Sequence, residues 1–207
     1  MWRATFVALT LMTLVSFPGH PLSAQSRKTV GLVVGRAQSR QLWGSALPTR
    51  EVEGLAAGVY VDVETPVPFL SIRAEAGYVR RGTAAREEEQ GGPGSEARVE
   101  SHYLSFPVLG MVDLRAGPAL LSGFAGPSLD TLLKTTCTPG FCSLLGEERR
   151  TVLNVALGGG VGFSLGDLLV VRAEGRLTEG LTEAYLSELA SVRNRSKELI
   201  LRLAIPF

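Results

Sequence analysis

Apolar side chains recur at every second position along several stretches of this chain, with small or polar residues between them. In 151–165 the apolar positions are Leu153, Val155, Leu157, Val161, Phe163 and Leu165, and the alternate positions are Asn154, Ala156, Gly158, Gly160, Gly162 and Ser164. Successive side chains of a β-strand point to opposite faces, so this pattern predicts a strand with one apolar face. We expect the small residues of the other face to leave room for bulky side chains opposite them.

Four other stretches alternate in the same way, and charged residues occupy the face opposite the apolar one. The charged positions are Asp62 and Glu64 in 55–64, Arg73 and Glu75 in 70–78, Arg172, Glu174 and Arg176 in 169–177, and Arg202 in 199–207. A soluble sheet would turn its apolar face inward and leave the Gly, Ala and Ser residues of the other face in water, where they are poor strand formers. A membrane barrel accounts for both faces, because lipid covers the apolar side chains and a filled lumen holds the rest.

The predicted strands number eight, and the connections between them alternate in length. The strands cover approximately 28–38, 52–64, 69–82, 97–112, 118–132, 149–165, 168–179 and 195–207. Connections after the second, fourth and sixth strands are short, whereas the others are long, as expected for periplasmic turns and external loops. The sequence therefore predicts an all-β fold, an antiparallel up-and-down eight-stranded transmembrane barrel in the bacterial outer membrane, with both termini in the periplasm. Pro107 and Pro127 fall inside these strands, where we expect local bulges or breaks.

The first 24 residues are typical of a secretory signal peptide. Arg3 precedes an apolar run from Ala4 to Phe17, and Leu22-Ser23-Ala24 offers a small-residue cleavage site. An uncleaved anchor is the alternative, but the run is short for a bilayer span of ~20 residues. We therefore expect cleavage near Ala24, with 1–24 as signal peptide and 25–207 as the barrel domain. The chain carries 21 basic and 20 acidic residues, and this balance does not favour nucleic acid as a partner.

The charged residues of the third and seventh predicted strands share a sequence context and a predicted depth. Both strands begin just after a short turn, and strands so placed in an eight-stranded barrel face each other across the lumen. We predict a buried salt-bridge network with Arg73 and Glu75 on one side, Arg172, Glu174 and Arg176 on the other, and Asp62 and Arg202 joining it. A gate or an ion path is the alternative, which the filled interior of eight-stranded barrels disfavours.

Catalysis and metal binding have little support in the sequence. Glu75 and Glu174 allow a general acid–base interpretation, but the same charges have a structural role as ion-pair partners. A lipid-modifying enzyme that used His102 and Ser105 would need both side chains on one strand face, and their spacing places them on opposite faces. We predict no catalytic site, no cofactor and no metal site.

Three external loops carry further signals. Cys137 and Cys142 flank Thr-Pro-Gly-Phe, and in an exported protein the pair predicts a disulfide. The segment 84–97 is acidic and rich in glycine, which is typical of a mobile loop. Apolar residues near helical spacing in 180–194 predict a short helix over the barrel mouth.

The segment His102-Tyr103-Leu104-Ser105-Phe106-Pro107-Val108-Leu109 resembles a characteristic strand of the PorT-like outer-membrane β-barrel family. Ala125-Gly126-Pro127-Ser128-Leu129 and the final Phe207 resemble that family as well. The resemblance implies an eight-stranded barrel over most of the chain and, for some members, a link to protein secretion. Phe207 also resembles the terminal signal that barrel-assembly machinery reads, which makes that machinery an expected partner.

The leading functional hypothesis is a non-enzymatic outer-membrane barrel whose external loops serve adhesion, surface binding or a secretion partner. Its expected partners are outer-membrane lipid and the assembly machinery, with an envelope protein as a further candidate. Two alternatives stay open at this stage: an outer-membrane enzyme that modifies lipid, and a soluble lipocalin-like carrier with an apolar lumen.

Overall fold

A computed structural model describes residues 28–42, 49–86, 96–138, 147–166, 168–186 and 191–207. Eight long strands form the body of the fold. They are β1 Lys28–Leu42, β2 Thr49–Glu64, β3 Leu70–Arg86, β4 Glu96–Ala116, β5 Ala119–Cys137, β7 Thr151–Leu165, β8 Leu169–Gly180 and β10 Ser191–Pro206. Two strands of two residues each, β6 Glu147–Glu148 and β9 Tyr185–Leu186, lie in the connections between them.

The eight long strands close into a barrel. Each pairs antiparallel with the next long strand along the chain, and β10 pairs with β1 from Thr29 opposite Pro206 to Leu42 opposite Arg193. Closure leaves no unpaired edge along the wall, which removes the aggregation hazard of an open sheet. The predicted eight-stranded antiparallel barrel is confirmed.

Several strands run further than the hydrophobic alternation predicts. β1 continues to Leu42 instead of residue 38, and β5 continues to Cys137 instead of residue 132. At these ends the outward positions change from apolar to polar, so the sequence signal stops although backbone pairing continues. β2 likewise begins at Thr49 instead of residue 52.

The two in-strand prolines break the ladder locally without a bulge. On β4, the pairing with β3 skips from Val108 to Ser105, which leaves Pro107 unpaired on that side at an unchanged register. Pro127 is likewise unpaired with β4, although it pairs with Val155 on β7. The register shift between β4 and β5 lies elsewhere, between His102 and Tyr103.

The faces of the wall follow the sequence parity. Leu157, Val161 and Phe163 are exposed on the outside, whereas Asn154 and Ala156 are buried inside. This outward apolar band ends, toward the long connections, in a ring of polar and charged residues. The ring consists of Arg36, Glu53, Arg80, His102, Lys134, Thr151, Glu179 and Lys197. Among the described residues, no helix is long and apolar enough to cross a membrane.

The lumen contains two layers of different chemistry. Apolar and aromatic side chains fill the end of the lumen near the long connections, and we call this part the outer layer. Its buried members are Ala37, Ala56, Val79, Val99, Tyr103, Val152, Ala184, Tyr185 and Val192. The rest of the lumen holds buried charged residues with two smaller apolar clusters, and we call the charged part the charged layer.

Candidate functional site

Glycines on β7 make space for the charged layer. A Cβ atom at Gly160 would lie 2.6 Å from Glu174 Cγ, and one at Gly162 would lie 2.8 Å from Arg172 Cγ. Both charged side chains come from β8, which pairs with β7. The alternation of small residues on one strand and long charged residues on its neighbour therefore fills the lumen without overlap.

Glu174 is the centre of the charged layer. Its carboxylate accepts a hydrogen bond from Arg73 Nη1 on β3, at 2.7 Å, and another from Arg202 Nε on β10, at 2.6 Å. All three side chains have no exposed surface. Arg73 Nε donates to Asp62 Oδ1 at 2.6 Å, so one arginine joins two carboxylates from different strands. Side chains from the four strands β2, β3, β8 and β10 are therefore joined at this point.

Glu75 of β3 extends the network through two further arginines. Arg202 Nη2 donates to Glu75 Oε1 at 2.6 Å, and Arg176 Nη1 donates to Glu75 Oε2 at 3.0 Å. Arg172 lies nearer to the short connections, 4.0 Å from the Asp62 carboxylate. The structure thus brings all seven residues of the predicted lumen set together in one connected network.

Sequence reasoning missed four charged members of the same layer. Arg172 Nη1 lies 3.1 Å from Asp113 Oδ1, and Arg176 Nε lies 3.1 Å from Glu198 Oε2. Arg81 ion-pairs with Asp130 and, at 3.4 Å, with Glu198. Parity could have found three of them, because Arg81 shares the face of Arg73, Asp130 that of Ser128, and Glu198 that of Arg202.

The network comes within one charge of balance and packs around the ring of Tyr60. Five arginines face six carboxylates in the residues just described. The guanidinium carbons of Arg73 and Arg202 lie 4.7 and 4.8 Å from the centre of the Tyr60 ring, a cation–π geometry. A cavity of about 30 Å³ beside Glu75, Arg176 and Glu198 has room for about one water molecule.

Tyr185 closes the outer layer. It lies on β9, where it pairs with Glu148 of β6 and Val192 of β10, and only 1% of its surface is exposed. Its hydroxyl is 2.8 Å from Ser101 Oγ. Burial raises the pKa of this hydroxyl above its ordinary value, so the group stays protonated.

The helix predicted over 180–194 is wrong for the described part of that segment. Residues 181–184 follow β8 as bends, and Tyr185–Leu186 form β9. Of the apolar residues that resembled a helix, Ala184, Tyr185 and Val192 are buried in the lumen, whereas Leu181 is exposed.

His102 and Ser105, the two residues considered for lipid-modifying chemistry, do not contact each other. His102 faces outward with Nδ1 2.6 Å from the Tyr78 hydroxyl, whereas Ser105 faces the lumen and contacts Ser128. The described residues contain no group of three or more His, Cys, Asp or Glu placed to hold a metal ion. Cys137 ends β5 and is not a free thiol, while Cys142 lies outside the described residues, so their pairing stays a prediction.

Comparison with known proteins identifies the same fold. Residues 52–185 match the family described as outer membrane protein beta-barrel domain. The structure is similar to Neisserial surface protein A, with a TM-score of 0.52 and 14% identity, covering 86% of this chain and 97% of that one. It is also similar to the outer membrane protein OprG from Pseudomonas aeruginosa, with a TM-score of 0.55 and 8% identity, covering 88% and 95%. No curated protein matches the sequence. At these identities the likeness shows the fold alone.

Proposed function

We propose that this chain, which belongs to the outer membrane protein beta-barrel domain family and lies in the bacterial outer membrane, is a non-enzymatic and non-conducting scaffold that presents its external end to a partner. The carrying observation is the filled lumen. Arginines and carboxylates cross it from wall to wall, and a cavity beside Glu75 holds about one water molecule. A larger cavity of about 580 Å³ lies at the end of the short connections, between the β2–β3 turn and Asp113, and the ion pairs that cross the lumen occupy the position that a continuous aqueous path would need.

The geometry of the polar residues supports a role without catalysis. His102 and Ser105 sit on opposite faces of β4, so an imidazole could not activate that hydroxyl. Glu75 and Glu174 each accept hydrogen bonds from two arginines, which holds them as ion-pair partners. The soluble carrier considered from sequence is wrong, since the chain lies in the outer membrane and its lumen is charged.

The external end offers the surface on which a partner would act. β6 and β9 pair across the mouth and connect to β10, which gives this end a small sheet of its own. Adhesion, surface binding and support of secretion all fit a barrel of this kind. Because segments of β4 and β5 resemble PorT-like motifs, we propose more specifically that the partner acts in protein secretion.

Site-specific photocrosslinking in intact cells tests this proposal. A crosslinking amino acid at Arg149, exposed between β6 and β7, is expected to trap an envelope or surface protein. The same probe at Val67, exposed in the opposite turn between β2 and β3, is the matched control and is expected to trap none. Adducts from Val67 alone would contradict the proposal, because they would place the interaction at the periplasmic end.

A further inference from the structure

The outward face of β1 and β10 changes from apolar to basic at one level. On β1 the outward positions change from Val34 to Arg36, and on β10 they change from Leu199 to Lys197. Because lipid chains cover the apolar band, side chains just beyond it lie at the depth of the lipid head groups. The end concerned carries the long connections and is the external end.

Five basic residues gather on this part of the outer surface. The β1–β10 basic cluster consists of Arg36 and Arg40 on β1 and Arg193, Arg195 and Lys197 on β10. Arg40 lies directly opposite Arg195 in the strand pairing, and Arg193 and Lys197 occupy the two diagonal positions. Like charges in such positions destabilise a sheet unless something of opposite charge lies between them.

The protein itself compensates only part of this charge. Glu53 ion-pairs with Arg36, Glu51 lies 2.9 Å from Lys197 Nζ, and Glu179 lies 3.0 Å from Arg195 Nη2. Three carboxylates therefore compensate five basic side chains, and two positive charges of the cluster are left uncompensated. Arg40 and Arg193 have no ion pair among the described residues, although both face outward.

We propose that the β1–β10 basic cluster binds the phosphate group of an anionic lipid of the outer leaflet, centred between Arg40 and Arg193. Guanidinium groups bind phosphate through paired, charge-assisted hydrogen bonds, and a phosphate here would separate Arg40 from Arg195. The apolar band begins at Val34 and Leu199, on the membrane side of Arg36 and Lys197, and gives the acyl chains of such a lipid a surface to lie on. This lipid site goes beyond the proposed scaffold role and does not depend on it.

Native mass spectrometry of the barrel released from detergent micelles tests the site. The probes are diphosphoryl lipid A, the same lipid after enzymatic removal of its phosphates, and inorganic phosphate. The test variant is Arg40→Gln/Arg193→Gln. The matched control is Lys134→Gln/Arg150→Gln, which removes two exposed basic residues at the same end of the opposite wall. Heat-dependent electrophoretic mobility checks that each variant folds.

The wild-type barrel should retain the phosphorylated lipid about tenfold or more over its phosphate-free form, and the test variant should lose that preference while the control keeps it. Glu51→Gln supplies a second variant, which should strengthen retention by freeing Lys197. Equal losses in both double variants, or equal retention of the two lipid forms, would overturn the proposal. Displacement of the lipid by an equal concentration of inorganic phosphate, or a dimer in place of the lipid adduct, would show a different occupant and overturn it as well.

Discussion

The charged layer and the outer layer close the same lumen by different means. In the charged layer, Arg73 and Arg202 are fully buried and hydrogen-bonded to carboxylates from other strands. In the outer layer, Tyr103 and Tyr185 fill the space, and neutral hydroxyls make the polar contacts. One layer is built from the barrel wall alone, whereas the other needs a residue from the connection between β8 and β10.

This difference predicts an order of energetic effects. A buried ion that loses its partner stays in a medium that solvates it poorly, so the cost is large. A buried neutral hydrogen bond that is lost costs much less. Substitutions in the charged layer should therefore affect the whole barrel, and substitutions in the outer layer should act locally.

The largest effect is expected for Glu174→Ala. The substitution removes the carboxylate shared by Arg73 and Arg202 and leaves both guanidinium groups buried with one partner fewer. We expect the free energy of unfolding to fall by about 3–5 kcal/mol, as for other broken buried ion pairs. Urea unfolding from lipid vesicles measures it.

Glu179→Ala is the matched control on the same strand. Glu179 faces outward, pairs with Arg195 and is 52% exposed, so its removal should cost about 0–1 kcal/mol. Equal losses in the two variants would contradict the account of the charged layer, since exposure would then make no difference.

An intermediate effect is expected for Gly160→Ala. The added methyl would clash with the backbone oxygen of Ala173 and lie 2.6 Å from Glu174 Cγ, so both the β8 backbone and the central carboxylate must shift. We expect destabilisation of about 1–3 kcal/mol, typical of overpacking. Gly175→Ala on β8 is the control, because a Cβ there has no heavy atom within 4 Å. If both variants unfolded at the same urea concentration, the space-making role of the β7 glycines would be wrong.

The smallest effect is expected for Tyr185→Phe in the outer layer. The ring still fills the mouth, while the loss of the hydroxyl removes its hydrogen bond with Ser101, at a cost of about 0.5–1.5 kcal/mol. Hydrogen exchange should speed up at β6 and β9 and stay unchanged in β3 and β8. Tyr78→Phe, which removes an outward hydroxyl beside His102, serves as the control and should leave exchange at the mouth unaltered. Faster exchange throughout the barrel would show that the two layers are not independent.

The barrel and most of the charged layer could be predicted from the sequence because both depend on strand parity. The period of two fixes which side chains point inward, and Gly160 and Gly162 of β7 are the direct pairing partners of Glu174 and Arg172 on β8. Asp113 was missed because the predicted fourth strand stopped at residue 112, whereas β4 continues to Ala116. Parity gives the face of a residue but not the end of its strand.

The outer layer could not be predicted in the same way. Tyr185 enters the lumen from a connection, and its short pairing with β6 and β10 involves residues far apart in sequence. Apolar residues in such a segment can have a helical spacing whether the segment forms a helix or folds into the lumen. The local pattern therefore does not distinguish the two structures. The identity of a partner depends on the chemistry of the external surface, and strand parity gives no information about that chemistry.

Single-channel recording in planar bilayers tests the central claim, that the charged layer fills the lumen and does not line a pore. Wild-type protein should give no steady, well-resolved current, and Glu174→Ala should lose stability without gaining a defined conductance. Steady currents through the wild-type barrel, with an ion selectivity that Glu174→Ala alters while its stability stays unchanged, would contradict the claim.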